Sequence, residues 1–507
     1  MLRNTRTVRY LAPAFGAGFF FFCLLLGWVS RTSAIPYWSR KYETSCTTCH
    51  SDFPQLNDFG IAFKKAGFRF PKDDDTFVKQ PPIMLGAKAQ KEAFPNAIWP
   101  GELPATIPIS FRYSGFFTYN NKQPIGAIPP PTAATVVAPS NETSFVPRTD
   151  LFVPNTFTVI GAGTFGPMIS FWVDNDISAG GQNSGAGLGD GYLKVMNLSK
   201  YIGLPPDSLN FRMGQFEMDL PFTQARTINL SDYDIYDQAS VAGMLPGCQI
   251  NAVCTTNNPL VFSGVQRGIE LSGVPNLGYF EYSVGVYNGN NDSPAVRNEK
   301  DIYVRVAKRW NLDRDPAARK EVRAAGPTGP RDHTSIRLGS FYYYGRNALN
   351  DGRELYPTLG TFHEPFYRVG GDFRFKVHDK FEMWGLGMYG HDVNHIVALA
   401  PDGTPTGVVI HDTPVTFSGG FVEAEYWLYP WAIGLMRYDV VNSPTDALNG
   451  LSRYYTRNRI SPGFQILIRA NIKWAFEYQY RWQVPVGGIS SEFYRPNGFL
   501  TGIDFAF

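Results

Sequence analysis

The sequence predicts an all-β protein, a transmembrane antiparallel β-barrel of about sixteen strands with a small α-helical segment ahead of it. Three observations lead there. From Thr106 onward the chain repeats alternating polar and apolar residues in stretches of about ten, as strands between lipid and a lumen require. Tight and long connections alternate between those stretches. The last stretch alternates to the final residue, with Phe499, Thr501, Ile503, Phe505 and Phe507 on one face.

The clearest strand is 472–482. Trp474, Phe476, Tyr478, Tyr480 and Trp482 share one face, and Lys473, Glu477, Gln479 and Arg481 share the other. An aromatic face opposite a charged one fits lipid outside and water inside. A soluble sandwich would normally put its aromatics in a shared core and its charges outside. Residues 367–377 repeat the pattern, with Tyr367, Val369, Phe373, Phe375 and Val377 against Arg368, Asp372, Arg374 and Lys376. The terminal strand resembles the insertion signal of outer-membrane barrels. In a soluble protein its apolar edge would invite aggregation, whereas barrel closure removes that edge.

Sixteen strands are predicted near 106–119, 151–164, 168–176, 190–198, 208–219, 260–273, 278–288, 299–310, 333–345, 365–377, 380–390, 416–428, 431–440, 457–469, 471–483 and 497–507. Tight connections fall at Phe165 to Pro167, Pro275 to Leu277, His378 to Asp379, Tyr429 to Pro430 and around Ala470. Long ones fall at 120–150, 220–259, 346–364 and 391–415, and 311–332 is an exception on the tight side. Short periplasmic turns and long outer loops are expected of such barrels. Cys248 and Cys254 in the 220–259 connection read as a loop disulfide.

Residues 1–34 read as an export signal. Arg3, Arg6 and Arg9 precede an apolar run from Leu11 to Val29, and Thr32 and Ala34 supply small residues before a cleavage point. A retained membrane anchor is the rival reading. Without that segment the chain carries 42 basic and 44 acidic residues, and nothing in it calls for a nucleic-acid partner. Charged residues make up only 18% and aromatic residues 15% of the chain. No later stretch is apolar for long enough to make a spanning helix.

Residues 46–50 read Cys-Thr-Thr-Cys-His. Two thiols three residues apart can each bond one vinyl-derived carbon of a single haem, and the following His then lies under the iron. Cys46, Cys49 and His50 are therefore the candidate attachment and axial residues for one covalent haem c. A redox dithiol would want a thioredoxin-like βαβ context, and a zinc site two further ligands nearby. Neither follows in the sequence. From Phe53 to Gly67, the residues Phe53, Leu56, Phe59 or Gly60, and Phe63 recur at helical spacing, and such a stripe could cover a haem face or simply dock on the barrel. A segment as short as 35–70 buries a haem poorly alone, so the barrel lumen is the obvious support. Met84 is the nearest Met or His for the sixth iron position; a barrel side chain, or no ligand, is the alternative. The expected organisation is 1–34 signal, 35–70 monohaem cytochrome c segment, 71–104 Pro-rich linker and 105–507 barrel.

Residues 35–70 resemble the start of the fused monohaem cytochrome–porins of iron-oxidising bacteria, the outer-membrane iron oxidases. The resemblance rests on Ala34-Ile35-Pro36, on Cys46 to His50, and on Pro54, Leu56, Asn57, Phe59, Gly60, Phe63, Lys64 and Gly67. It covers under a tenth of the chain, and the barrel matches in architecture only. It implies an outer-membrane electron conduit, with the haem segment in the lumen or at the periplasmic side. Electrons would pass from extracellular Fe(II) to a periplasmic c-type cytochrome or similar carrier. A passive porin with a structural haem plug, or outward transfer to extracellular acceptors, are the alternatives. Imidazole suits Fe(II), so His391, His395 and His411, which the topology sends to outer connections with His363, form a candidate iron-docking patch. Polar loop residues with no shared site are the plainer reading. No catalytic triad or phosphate loop stands out.

Overall fold

The computed structural model describes residues 36–70, 107–121, 148–179, 187–223, 230–239, 260–317, 333–350, 362–399, 405–442, 457–481 and 497–507, with breaks of two or three residues, and scattered residues between 74 and 103 and at 255–256. Sixteen strands form a closed antiparallel barrel. They are β1 (Ile109–Asn120), β2 (Thr149–Phe165), β3 (Ile169–Ala179), β4 (Gly187–Val195), β5 (Asn210–Glu217), β6 (Val265–Gly273), β7 (Phe280–Tyr287), β8 (Asp301–Asn311), β9 (Ser335–Asn350), β10 (Phe362–Val377), β11 (Phe381–Asp392), β12 (Val415–Tyr429), β13 (Ala432–Asn442), β14 (Arg457–Arg469), β15 (Ile472–Arg481) and β16 (Gly498–Ala506). Each predicted strand overlaps one of these. Each pairs with its neighbour in sequence, and β16 closes on β1.

The closing seam explains the terminal pattern. Phe111 and Phe507 exchange backbone hydrogen bonds of 2.7 and 2.8 Å. Their rings stack at 5.2 Å, and Tyr113 stacks on Phe505 at 5.1 Å. On β15, Lys473, Glu477 and Gln479 are buried in the lumen while Tyr478 and Tyr480 are exposed outside, as the alternation predicts. Around the exterior, Val284, Leu338, Val369, Val422 and Met436 make an apolar band. Tyr429, Trp431 and Phe165 lie at its short-turn end, and Tyr119 and Tyr480 toward the other.

The lumen departs from the water-filled interior that the alternation implied. Tyr287, Tyr303, Tyr343, Phe341, Trp384 and Phe421 project inward and are buried in one aromatic core. Two segments cover them. The first is residues 36–70, with helices α1 (Tyr37–Tyr42) and α2 (Asp58–Lys65). It contacts wall residues near the short turns: Ser110 on β1, Lys194 on β4, Glu281 on β7, Arg309 on β8 and Arg374 on β10. The second lies between β5 and β6, in a connection predicted as an outer loop. Its described residues 218–223, 230–239 and 260–264 fold inward and carry helix α3 (Asp234–Ala239).

That inward fold has a clear cause. Tyr233, Ile235, Tyr236, Leu260 and Phe262 have no exposed surface, so about 1.5–3 kcal/mol of apolar burial per large side chain draws the loop in. Wall cations then satisfy its backbone. Arg437 donates to the Ser231 carbonyl at 2.9 Å, Arg459 to that of Asp232 at 2.6 Å, and Arg368 to that of Ala239 at 3.0 Å.

Candidate functional site

The Cys-x-x-Cys-His segment is a 3-10 turn, Cys46–Thr48, followed by a chain reversal. Ser45 caps the turn by accepting from the Thr47 amide. The reversal is held by the Ser51 amide donating to the Gln55 carbonyl at 3.1 Å and the Asn57 amide donating to the Cys49 carbonyl at 3.0 Å. Asn57 joins the turn to α2. Its Oδ1 accepts from the Gly60 amide at 2.9 Å, and its Nδ2 donates to the carbonyls of Thr47 and Thr48 at 3.3 and 3.1 Å. This cap starts the helix at Asp58, five residues later than the Phe53 start its apolar spacing predicted. A Cβ at Gly60 would lie 2.0 Å from the Cys49 carbonyl oxygen, so glycine lets the helix approach the motif this closely. Gly67, at φ +67°, follows the end of α2 where a stop was expected.

Cys46, Cys49 and His50 line one cavity of about 520 Å³. Both cysteines are half-buried thiols, and Cys46 Sγ lies 3.7 Å from Ser39 Oγ. Burial pushes the Cys46 thiol above its usual pKa. His50 Nδ1 lies 3.1 Å from the Pro54 carbonyl oxygen. A carbonyl only accepts, so Nδ1 carries the proton and Nε2 keeps its lone pair. Burial lowers the imidazole pKa to about 4, which holds the ring neutral. A neutral imidazole whose second nitrogen is anchored on a backbone carbonyl is how proteins orient a metal-ligating His. The cavity also lies within the ~300–1,000 Å³ range of cofactor pockets. The residues present therefore fit a haem on two thioether links with His50 toward the iron.

Aromatic rings carry this segment onto the wall. Trp38 stacks on Phe68 at 5.1 Å and meets Phe63 edge-on at 5.4 Å, and Phe68 in turn stacks on Trp172 of β3 at 5.1 Å. Charges complete the fit. Asp58 meets Arg309 at 2.9 Å and His333 at 3.4 Å, and Lys65 meets Asp219 at 2.8 Å and Glu281 at 2.6 Å. Asp52 faces Lys473 at 3.6 Å. Burial alone would raise the Asp58 carboxyl, but the Arg309 guanidinium and a hydrogen bond with His333 hold it well below 3.8.

The other sequence candidates fall elsewhere. Met84 stands opposite Glu102 in a two-residue strand pair, and its side chain lies outside the described residues. Cys248, Cys254 and residues 1–35 also lie outside them. Of the three candidate iron-docking histidines, His395 and His411 have side chains that lie outside the described residues. His391 projects outward, stacked on Tyr367 at 5.2 Å. The backbones of His395 and His411 occupy adjacent rungs of a separate hairpin, His395 opposite Asp412 and His411 opposite Ile396. Among the described residues no group of three or more His, Cys, Asp or Glu has metal-site geometry. The residues missed at the sequence level are the docking charges Asp58 and Lys65 and the infolded Tyr233, Ile235 and Tyr236. The last three spell a short aromatic and apolar cluster within the infolded connection, a readable signal for burial.

No family model and no curated protein matches the sequence. Among solved structures the chain is similar to the outer membrane channel DcaP of Acinetobacter baumannii, at 12% identity and a TM-score of 0.43 over 79% of this chain and 96% of that one. It is also similar to the anion-selective porin from Comamonas acidovorans, at 12% identity and 0.43 over 79% and 98%. A third is OmpF of Salmonella typhi, in its daunomycin complex, at 11% identity and 0.39 over 79% and 97%. The barrel described above rests on the chain's own strand pairing.

Proposed function

We propose that the chain is an outer-membrane electron conduit, in which Cys46, Cys49 and His50 hold one covalent haem c inside an insulating β-barrel. The observation that carries this reading is the 3.1 Å contact from His50 Nδ1 to the Pro54 carbonyl, which leaves Nε2 as a ligand beside two thiols on one cavity. The apolar exterior band with aromatic residues toward both ends supports a lipid setting. A haem bound there supplies one-electron exchange at its iron. The protein's own part is to fix the tautomer of His50, to exclude water with the Trp38, Phe63 and Phe68 rings, and to hold the segment in the lumen through Asp58 and Lys65. The donor class is Fe(II) and the acceptor a periplasmic c-type carrier.

The test uses the purified chain in liposomes with Fe(II) outside, following the reduced-haem band. Reduction by Fe(II) is the expected result. Solute leakage with no reduction would select the second reading, a passive porin with a structural haem plug. That reading draws on the barrel and on the continuous lumen cavity.

A further inference from the structure

The outer face of β6, β7, β8 and β9 carries charge only near its two edges. One rung across it pairs Ile269 with Val286, Val286 with Ile302 and Ile302 with Tyr344. Two residues further toward the long-loop end come Arg267, Asn288, Lys300 and Arg346. The Asn288 amide donates to the Arg267 carbonyl at 2.9 Å, which continues the pairing there. Arg267, Lys300 and Arg346 are all exposed. At the short-turn end Lys308 is exposed, 5.3 Å from the centroid of the Trp310 ring. Between Lys300 and Lys308 the outward residues of β8 are Ile302, Val304 and Val306. The strand between the two lysines is about 27 Å long. Tilted as barrel strands are, it rises about 20 Å, close to the ~25 Å of an apolar belt. The cationic row therefore stands at one edge of that belt, at the level of lipid headgroups.

The wall holds both guanidinium groups in place. Arg267 Nε donates to Gln215 Oε1 on β5 at 3.3 Å. Gln215 is buried and fixed in turn, donating to the Leu188 and Gly189 carbonyls at 2.7 and 2.9 Å. Arg346 Nε donates to the Tyr344 hydroxyl on its own strand at 3.2 Å. Arg267 thus leans away from Arg346, and three strand spacings, about 14 Å, separate their strands. Among the described residues, no carboxylate occupies an outward position on these four strands. Glu299, half-buried beside Lys300, acts on Arg346 and offsets one charge of the row.

We infer that this face docks a phosphorylated glycolipid of the outer leaflet, with one phosphate on Arg267, a second on Arg346 and acyl chains along Ile269, Val286 and Ile302. The inference rests on the outer-membrane setting of the barrel and is independent of the haem. Guanidinium groups bind phosphate through paired N–H donors, and their weaker hydration suits them to a site beside hydrocarbon. Two heads held apart call for a headgroup with two phosphates, and the apolar rungs below them call for an attached lipid.

The test is native mass spectrometry of the full-length protein released from detergent, with four probes at matched concentration. They are lipid A with two phosphates, with one and with none, and phosphatidylglycerol. The two-phosphate form should be retained about tenfold more than the phosphate-free form. Arg267→Gln combined with Arg346→Gln should remove that preference, and Lys308→Gln should leave it intact. Heat-modified migration on a gel checks that each variant keeps its barrel. If the double variant does not fold, the lipid series on the unaltered chain still decides. Equal retention of the phosphate-free form or of phosphatidylglycerol would overturn the site. Displacement of the lipid by millimolar inorganic phosphate would overturn it in favour of a free-anion site. Recovery of the chain as a soluble species without detergent would remove the membrane reading, and this site with it.

Discussion

Lys65 Nζ lies 2.8 Å from Asp219 Oδ2, and this one contact joins the N-terminal segment to the start of the infolded connection. The same ammonium reaches Glu281 on β7 at 2.6 Å. The two fillings of the lumen are thereby tied to each other and to the wall. Lys65→Met takes a cation from the buried Glu281 and the half-buried Asp219, which keep Arg305 and Arg337 nearby, and the lost charged hydrogen bonds cost about 1.5–3 kcal/mol. Amide exchange over residues 58–65 should accelerate in detergent while the barrel stays heat-resistant on a gel. Unaltered exchange would show that Lys65 does not anchor the segment.

Acid should loosen the same segment through Asp58. Its carboxyl is held well below 3.8 by Arg309 and His333, against the opposing effect of burial. A depressed carboxylate contributes stability above its unfolded pKa and loses it as pH falls through the folded value. Docking is therefore full above about pH 4 and weakens below it. Limited proteolysis of residues 36–70 across that range is the measurement. Asp58→Asn should remove this part of the acid dependence and raise cleavage at neutral pH.

Gly60→Val should block cofactor attachment without touching the motif. The added Cβ meets the Cys49 carbonyl oxygen at 2.0 Å, so α2 and the Cys46–Cys49 turn cannot both keep their places. Haem content per chain, from the pyridine haemochrome spectrum, should fall severalfold while barrel yield is unchanged. Full haem content in this variant would mean the helix plays no part in presenting the cysteines.

Tyr233→Ala should open the lumen. The ring stacks on Phe421 at 3.8 Å, and its hydroxyl donates to Glu423 at 3.1 Å. Removing a buried aromatic costs about 3–5 kcal/mol, enough to release the loop. Single-channel conductance in planar bilayers should rise well above that of the unaltered chain. An unchanged conductance would mean the loop is held by its Arg437 and Arg459 contacts alone.

The barrel was legible because each strand reports its own two environments. Lys473 and Tyr478, five residues apart, already declare opposite faces, and no distant contact is needed to read them. The Cys-Thr-Thr-Cys-His motif was legible for a similar reason, being five consecutive residues. The filled lumen was not. Whether Tyr303 or Trp384 faces water or another ring depends on residues 36–70 and 230–239 arriving from far along the chain.

Intact-mass and peptide mass spectrometry of the chain purified from a host with c-type haem maturation tests the central claim most directly. The account predicts one porphyrin added per chain, carried on the peptide that contains both Cys46 and Cys49. A chain recovered at its bare polypeptide mass, with both thiols open to alkylation, would contradict it.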